Sequence, residues 1–304
     1  MGVTLFVGGH AGTIRGERET ITGKRMFTAA YPPQAAAFSR MADVVGYLDS
    51  GAFSDSPAHR LSFEDALTRQ LKWEKKASGK WASRSQEPCE WKSSALVSYD
   101  LLIDEVWLAG EKHKRRWTIQ QAEMAVKETV GAARFLASRR NELAPRRLIL
   151  SAQGVDAMQY RECVQAILKV ATLDDIIGFG GWCILGRFTS WLPEFWRTLY
   201  ATLPLIAQKG IKDIHIFGVL YLPALGGMLW LADRLGLRLS TDSSAPVKSA
   251  ACKSAESRRK AGCRADGYLA NVTWWQTALA SLRQTEWYKQ PPQHELVRQL
   301  ALWE

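Results

Sequence analysis

The amino-acid sequence predicts an α/β fold in which eight parallel strands close into a barrel. Eight short apolar segments recur along the chain, and helical periodicity separates most of them. The length of 304 residues suits a single barrel domain. Polar or glycine residues directly follow several of these segments, as expected where strands end at one common face. These observations favour a (β/α)8 TIM barrel over an open, doubly wound sheet.

Predicted strands and helices alternate along the chain. The strands cover residues 4–8, 25–30, 44–53, 95–104, 147–152, 176–181, 213–219 and 237–242. Helical periodicity covers residues 35–43, 118–137, 157–170, 193–210 and 222–236. Gly210 and Gly236 end the last two helices as typical C-caps.

Two segments depart from this alternation and define the predicted domain organisation. Residues 54–94 form a predicted insertion after the third strand, rich in Lys and Arg and interleaved with Trp73, Trp81 and Trp91. Residues 247–304 follow the eighth strand as a basic loop and two helices, from about residue 266 to 289 and from 293 to 302. We therefore expect a barrel domain over residues 1–246 and C-terminal helices that pack on it.

The composition restricts location and partners. No apolar run reaches the roughly 20 residues of a transmembrane helix, and the N-terminus lacks the features of a secretory signal. Five cysteines with scattered spacing do not suggest a disulfide framework. We expect a soluble cytoplasmic protein, located in the host cytoplasm if a phage encodes it. The net charge of +10 and the pI near 9.4 favour a polyanionic partner, nucleic acid first.

Candidate catalytic residues come from the ends of the predicted strands. In a parallel barrel every strand ends at the same face, so residues far apart in sequence meet at one pocket. The third strand leads into Asp49, Ser50 and Gly51, and the eighth ends at Asp242. Asp-Ser-Gly is also an ordinary turn sequence, and the similar strand ends elsewhere in the chain favour a site. Two carboxylates facing one substrate can serve as nucleophile and general acid/base in glycosyl transfer.

Further polar or glycine residues close the strands between these carboxylates: Asp104, Gln153, Gly180 and Gly181. Asp100 shares a strand face with Asp104 by period 2 but lies a full pleat deeper, so we expect it to be structural. His10, His59 and His215 have no partners at the spacing of metal ligands, and we expect them to pack or to lie on the surface.

At these positions the chain resembles the tRNA-guanine transglycosylase superfamily, in particular the branch that inserts 7-deazaguanines into DNA. The resemblance covers most of residues 4–246. In that family an Asp-Ser-Gly-Gly-Phe-type strand end supplies the acid/base carboxylate, which matches Asp49 in the sequence Asp-Ser-Gly-Ala-Phe. The family's nucleophilic Asp closes the last strand and matches Asp242 in the sequence Thr-Asp-Ser-Ser.

The resemblance also implies base-binding roles. The family's base-recognising Asp, often followed by Glu, matches Asp104, and its Gln-Gly matches Gln153. Its Gly-Gly-apolar loop, whose backbone reads the base, matches Gly180 and Gly181, and its Met-Gly-Val-type strand matches residues 216–219. The implied base-binding residues are Ser50, Asp104, Gln153, Gly180, Gly181 and Trp182. Most of the 13 Trp residues are expected in the core, and Trp182 is the candidate for stacking on a base.

The activity that the resemblance implies is base exchange: guanine in DNA is replaced by a free 7-deazaguanine, such as the 7-cyano form. A covalent ester to Asp242 holds the polymer between the two steps, and no cofactor is required. Asp49 protonates the departing guanine and deprotonates the incoming base. The target nucleotide must be flipped out of a duplex or presented unpaired.

One departure from the family bears on the choice of polymer. The tRNA enzymes carry Cys-x-Cys-x-x-Cys and a later His for a structural zinc, whereas this chain offers only Cys252, Cys263 and His294. We therefore expect no bound metal, and we favour DNA over tRNA. The open alternatives are a transglycosylase acting on tRNA, a noncatalytic nucleic-acid-binding barrel, and an unrelated barrel enzyme for a small molecule.

Basic segments that follow strand ends are predicted to contact the nucleic-acid backbone. Residues 54–94, residues 112–116 and the segment after the eighth strand all belong to the pocket face under the barrel hypothesis. Solvated basic loops are common, and the shared face is what favours phosphate binding. The residues assigned to the backbone are Lys114, Arg115, Arg116, Lys248, Arg258, Arg259 and Lys260.

Overall fold

The fold is seen in a computed structural model that describes most of the chain. The described residues are 2–8, 23–33, 44–55, 60–85, 90–101, 119–183, 191–246, 254, 256, 263–265 and 267–289. No helix within these ranges is long and apolar enough to cross a membrane.

Eight parallel strands form a closed barrel. They are β1 (Thr4–Gly8), β2 (Gly23–Thr28), β3 (Val44–Asp49), β4 (Ala95–Val97), β5 (Arg147–Ala152), β6 (Ile176–Phe179), β7 (Asp213–Ile216) and β8 (Arg238–Ser243). Each strand pairs in parallel with the next, and β8 pairs with β1 to close the sheet. The predicted (β/α)8 barrel is therefore confirmed.

From β3 onward, helices connect consecutive strands and cover the barrel. They are α1 (Phe63–Ser85), α2 (Ile119–Ser138), α3 (Arg140–Leu143), α4 (Ala157–Leu168), α5 (Leu192–Gln208), α6 (Leu222–Arg234), α7 (Tyr268–Ala280) and α8 (Glu286–Lys289). The sequence explains where some begin: the Asp156 side chain caps α4 by accepting from the Gln159 amide at 2.8 Å, and prolines occupy the first turns of α5 and α6. The helix predicted over residues 35–43 lies outside the described residues.

Alternate strand positions face two different apolar layers. A large cluster joins the outer faces of the strands to the helices and includes Leu48, Leu96 and Leu150. A smaller cluster of inward-facing residues fills the barrel: Phe6, Met26, Tyr47, Ala95, Val97, Ile149 and Ile176. Because successive side chains of a strand point to opposite faces, both layers are buried, as the near-continuous apolar strands predicted.

The predicted insertion at residues 54–94 contains α1, which connects β3 to β4. Leu67, Trp73 and Ala77 of this helix belong to the same buried cluster as the outer faces of the strands. Trp73 and Trp91 are buried, and their indole nitrogens donate to backbone carbonyls. The segment is therefore the helix of the third β/α unit, and these two Trp residues support the fold rather than a nucleic-acid surface.

The C-terminal helices complete the barrel. The Val3 amide, directly before β1, donates to the Leu279 carbonyl of α7 at 3.3 Å. Farther along, Arg283 pairs with Asp233 of α6, and α8 also packs on α6. The part of the C-terminal segment that is described thus supplies the helix that follows the eighth strand. The helix predicted over residues 293–302 lies outside the described residues.

Candidate active site

Asp49 and Asp242 lie at the carboxyl ends of strands of one closed barrel. Asp49 is the last residue of β3 and pairs with Thr28, whereas Asp242 lies next to the end of β8 and pairs with Phe6. Both residues are partly exposed. Because all strands run in parallel, the structure places both carboxyls at the same mouth of the barrel.

Asp49 has an environment that favours its protonated form. Burial, together with the negative charges of Asp100 and Asp242, raises the pKa of Asp49 from its usual value of 3.8 to about 7. Hydrogen bonds from the Gly51 amide, at 3.2 Å, and from the Thr28 side chain act in the opposite direction. A carboxyl with this pKa can give or take a proton near neutral pH.

Asp242 is held through one of its two carboxylate oxygens. Its Oδ1 atom accepts from the Gly218 amide at 2.9 Å and contacts Nε2 of His215 at 3.1 Å. Among the residues that the structure describes, none forms a hydrogen bond to Oδ2. The side chain is 17% exposed, so Asp242 is a carboxylate with one oxygen fixed and one oxygen available.

Gly218 directs its amide at Asp242 through a turn that requires glycine. Its φ angle is +69°, in the left-handed region that other residues rarely adopt. A Cβ atom at this position would also lie 2.7 Å from Cβ of Cys183. The turn after β7 therefore depends on Gly218 and places a backbone donor at the carboxylate.

His215 is a site residue that sequence reasoning missed. Its ring has no exposed surface, and Nδ1 lies 2.9 Å from Oγ of Ser240 while Nε2 contacts Asp242. The expectation that His215 packs agrees with this burial, whereas its polar contacts with Ser240 and Asp242 were not predicted. The contact follows from the strand register seen in the structure, in which β7 pairs His215 with Ser240, two residues before Asp242 on the same inward face.

Asp100 also belongs to this mouth, although its sequence position suggested a structural role. Strand β4 ends at Val97 rather than at residue 104, and Asp100 follows the end of the strand. Gln153 donates from Nε2 to Oδ2 of Asp100 at 2.5 Å, and both side chains are buried. Burial raises the pKa of Asp100, while the hydrogen bond from Gln153 and the charge of Arg60 lower it.

The two polar atoms of the Gln153 side chain differ in their hydrogen bonding. Its nitrogen is used by Asp100, whereas Oε1 is buried and has no hydrogen-bond partner within the described part of the chain. This buried amide oxygen keeps its capacity to accept a hydrogen bond. The base-binding role of Gln153 stays a prediction.

Gly180 lies against Gln153, but its backbone is not free to bind a base. The Gly180 amide donates to the Ala152 carbonyl at 3.1 Å, and the Gly180 carbonyl accepts from the Tyr160 hydroxyl at 2.6 Å. The prediction that the Gly180 amide is a donor to the base is therefore wrong in this structure. A Cβ atom here would overlap the Gln153 amide, so close packing explains the glycine. Gly181 follows with a φ of +76° and turns the chain.

Trp182 is a core residue, and the prediction that it stacks on a base is wrong. Its side chain has no exposed surface. The indole stacks on Tyr160 with ring centroids 5.5 Å apart and meets Phe195 nearly edge-on at 5.2 Å. These neighbours occupy the surface that a base would need.

Replacing Trp182 with Leu tests this assignment. We expect the free energy of unfolding to fall by about 1–3 kcal/mol, because the smaller side chain leaves part of a packed volume empty. Urea unfolding measures the change, with Trp274→Leu, at a site 37% exposed, as the control. Unchanged stability combined with weaker base binding would restore the stacking role.

Ser50 belongs to a braced loop after β3. The residue is fully buried, and its hydroxyl accepts from the Ala52 amide at 3.4 Å. Arg69 donates to the Ser50 carbonyl at 2.5 Å and also binds the carboxylate of Asp55. Tyr99 donates to the same carboxylate at 2.7 Å. These bonds fix the loop beside Asp49, and a base-binding role for the Ser50 hydroxyl stays a prediction.

Several predicted site residues lie outside the described residues: Asp104, Lys114, Arg115, Arg116, Lys248, Arg258, Arg259 and Lys260. In the described part of residues 54–94, Arg60 and Arg69 pair with Glu128 and Asp55. Their charges therefore serve the fold.

No metal site is evident in the part of the chain that the structure describes. Those residues include no group of three His, Cys, Asp or Glu side chains arranged to bind a metal ion. Since Cys252 and His294 lie outside them, the absence of zinc stays a prediction.

Comparisons with known proteins provide no family assignment. No protein-family model matches the chain, and no curated protein sequence does. A solved structure of a candidate fructose-1,6-biphosphate aldolase from Coccidioides immitis is similar over 93% of this chain and 89% of that chain, with 10% identity and a TM-score of 0.44. A soluble mutant of the membrane-associated (S)-mandelate dehydrogenase from Pseudomonas putida is similar over 95% of this chain and 78% of that chain, with 13% identity and a TM-score of 0.37. These values support no argument about activity.

Proposed function

We propose that the protein is a base-exchange transglycosylase that replaces guanine in DNA with a 7-deazaguanine. The observation that carries the proposal is the presence of two unlike carboxyls at one mouth of the barrel. Asp49 has a pKa of about 7 and can act as acid and base, whereas Asp242 has an available carboxylate oxygen and can act as nucleophile. Carboxyls whose environments differ in this way are typical of glycosyl transfer.

The first step cleaves the bond between C1′ of the target nucleotide and its guanine. Oδ2 of Asp242 forms a bond to C1′, and the electron pair of the glycosidic bond leaves with the guanine. Asp49 gives its proton to the departing base. The products are a free guanine, an ester between Asp242 and the polymer, and an ionised Asp49.

The second step reverses this chemistry with a different base. Ionised Asp49 takes a proton from the nitrogen of the incoming 7-deazaguanine, and that nitrogen attacks C1′. The ester bond breaks, and its electron pair returns to Asp242 as a carboxylate. Protons, charge and bonds therefore balance over the cycle, and both residues recover their starting forms.

The electrostatic coupling of the two carboxyls supports this assignment. The charge of Asp242 contributes to the raised pKa of Asp49. Once Asp242 becomes a neutral ester, that repulsion is lost, so the pKa of Asp49 falls as it gives up its proton. In each state of the cycle one of the two carboxyls is ionised and the other is neutral, so the total charge of the pair stays constant.

DNA is proposed as the polymer on the basis of charge and sequence. The net charge of +10 favours a polyanion, and binding through Lys and Arg should weaken as salt rises. The chain lacks the family's zinc motif, which favours DNA over tRNA. A base in a duplex must be flipped out to reach the mouth.

Release of labelled guanine tests the function and the polymer together. We expect release from DNA when 7-cyano-7-deazaguanine is supplied, and little from a matched tRNA substrate. DNA labelled in adenine is the control and should release nothing. Release confined to tRNA would overturn the DNA assignment. Absence of release from both polymers, with no covalent adduct, would overturn the transglycosylase itself.

A further inference from the structure

We propose that His215 is a positioning residue that selects which oxygen of Asp242 attacks the substrate. By binding Oδ1, it leaves Oδ2 as the nucleophilic atom. This inference rests on the proposed function, because it assigns a partner to the proposed nucleophile. It is carried by the contacts of a fully buried ring that has a polar partner at each nitrogen.

The ring of His215 is fixed in place by its surroundings. Phe6, Tyr47 and Phe217 meet it at steep angles, with centroid distances of 6.0, 5.6 and 4.8 Å. These aromatic side chains surround the ring, which has no surface exposed to water. The Nδ1 side is anchored by Ser240, whose Oγ lies 2.9 Å away and also donates to the Ile214 carbonyl at 3.1 Å.

The partners of His215 determine where its proton lies. An ionised carboxylate only accepts hydrogen bonds, so a contact of 3.1 Å with Oδ1 of Asp242 requires hydrogen on Nε2. Ser240 is compatible with this in two ways: its single hydroxyl hydrogen can turn from the Ile214 carbonyl to Nδ1 of a neutral ring, or it can stay on that carbonyl while Oγ accepts from Nδ1 of a charged ring. Both arrangements place a donor against Oδ1.

Two donors therefore meet at the same oxygen. The Gly218 amide approaches Oδ1 from the turn after β7, and His215 approaches it from the barrel interior. Hydrogen bonds draw electron density to Oδ1 and lower its reactivity, while Oδ2 keeps its lone pairs available. The geometry therefore favours bond formation between Oδ2 and C1′.

The same donors remain useful after the ester has formed. Oδ1 then becomes the carbonyl oxygen of the ester and continues to accept from Gly218 and His215. When the incoming base displaces the ester, negative charge returns to Asp242, and donors already in place stabilise it without reorganisation. No proton passes through His215 in either step.

Paired variants of His215 separate donation from packing. We expect His215→Phe to slow single-turnover formation of the covalent adduct by about 10²-fold, the usual effect of losing one placed donor. Polymer affinity should change little, because the His215 ring has no exposed surface for a polymer to contact. His215→Gln should recover at least about a tenth of the wild-type rate, since its amide nitrogen can replace Nε2.

Each outcome of this comparison bears on the inference. A wild-type rate in His215→Phe would overturn the positioning role. Equal losses in both variants, with equally lowered thermal stability, would show that the ring only supports the fold. If Asp242→Asn keeps full exchange, or if wild type forms no adduct, the proposed function fails instead.

If the proposed function fails, a measurement without substrate still tests the contact between His215 and Asp242. Nitrogen-15 spectra of histidine-labelled protein distinguish a protonated ring nitrogen from a bare one. We expect a protonated Nε2 for His215, assigned by its absence from the His215→Gln spectrum, and a clear change in Asp242→Asn. A bare Nε2 in wild type would refute the contact.

Discussion

Asp242→Asn is expected to stop guanine exchange. We expect guanine release to fall by about 10⁴-fold or more, comparable to the loss of a nucleophile in other enzymes. An amide lacks the anionic oxygen that forms the ester, so the denaturation-resistant adduct between protein and DNA should also disappear. Adduct formation on denaturing gels and release of labelled guanine measure the two effects.

The structure offers a matched control for this substitution. Asp174 is exposed and precedes β6, at the end of the barrel opposite to Asp242. Asp174→Asn removes the same charge and should leave exchange unchanged. DNA affinity should also be similar in both variants, since Asn has nearly the shape of Asp. Exchange at the wild-type rate in Asp242→Asn would eliminate the covalent mechanism.

The barrel and its two carboxyls could be predicted from sequence because their signals are local. Buried parallel strands have apolar residues on both faces, so each strand is recognisable on its own. Closure of the barrel then requires the ends of β3 and β8 to share one mouth, which brings Asp49 and Asp242 to the same side. The residue type and the strand end were both visible in the sequence.

The contacts of His215 and Asp100 depend on details that the sequence pattern does not contain. His215 meets a carboxylate 27 residues away, and this contact exists only in the register that pairs β7 with β8. Asp100 reaches the mouth because β4 ends at Val97, and the following residues leave the strand ladder. Apolar residues resume at positions 101–103, so the sequence predicted a longer strand.

The misplacement of Trp182 arises because the sequence does not show which way an aromatic side chain points. An aromatic residue among basic residues or beside glycines is compatible with both a binding surface and a buried core. In this fold α1 uses Trp73 to cover the barrel, and Trp182 turns into the layer between Tyr160 and Phe195. Only the direction of the side chain distinguishes the two cases, and it depends on packing between elements.

Asp49→Asn is expected to lower the rate of guanine release by about 10²–10⁴-fold, the usual contribution of a general acid. The amide cannot give a proton to the departing guanine. Because Asp49 has a pKa of about 7, release by wild type should be fastest below that pH and decline as pH rises through it. The residual activity of Asp49→Asn should lack this decline.

The raised pKa also predicts how stability depends on pH. Folded Asp49 binds its proton more tightly than the unfolded chain, whose carboxyl has the usual pKa of 3.8. The resulting stabilisation is complete below the unfolded pKa and is lost as pH rises through about 7. An uncharged Asn avoids repulsion by Asp100 and Asp242, so Asp49→Asn should gain stability relative to wild type at higher pH.

Three measurements on Asp49→Asn therefore distinguish a catalytic group from a structural one. Single-turnover guanine release across pH tests proton transfer, DNA affinity tests binding, and urea unfolding at about pH 5 and about pH 8 tests the linkage between protonation and stability. We expect slow release, intact DNA binding and a larger stability advantage at the higher pH. Loss of DNA binding together with lower stability at both pH values would instead make Asp49 a structural residue, because removal of a repelled carboxylate should not weaken the fold.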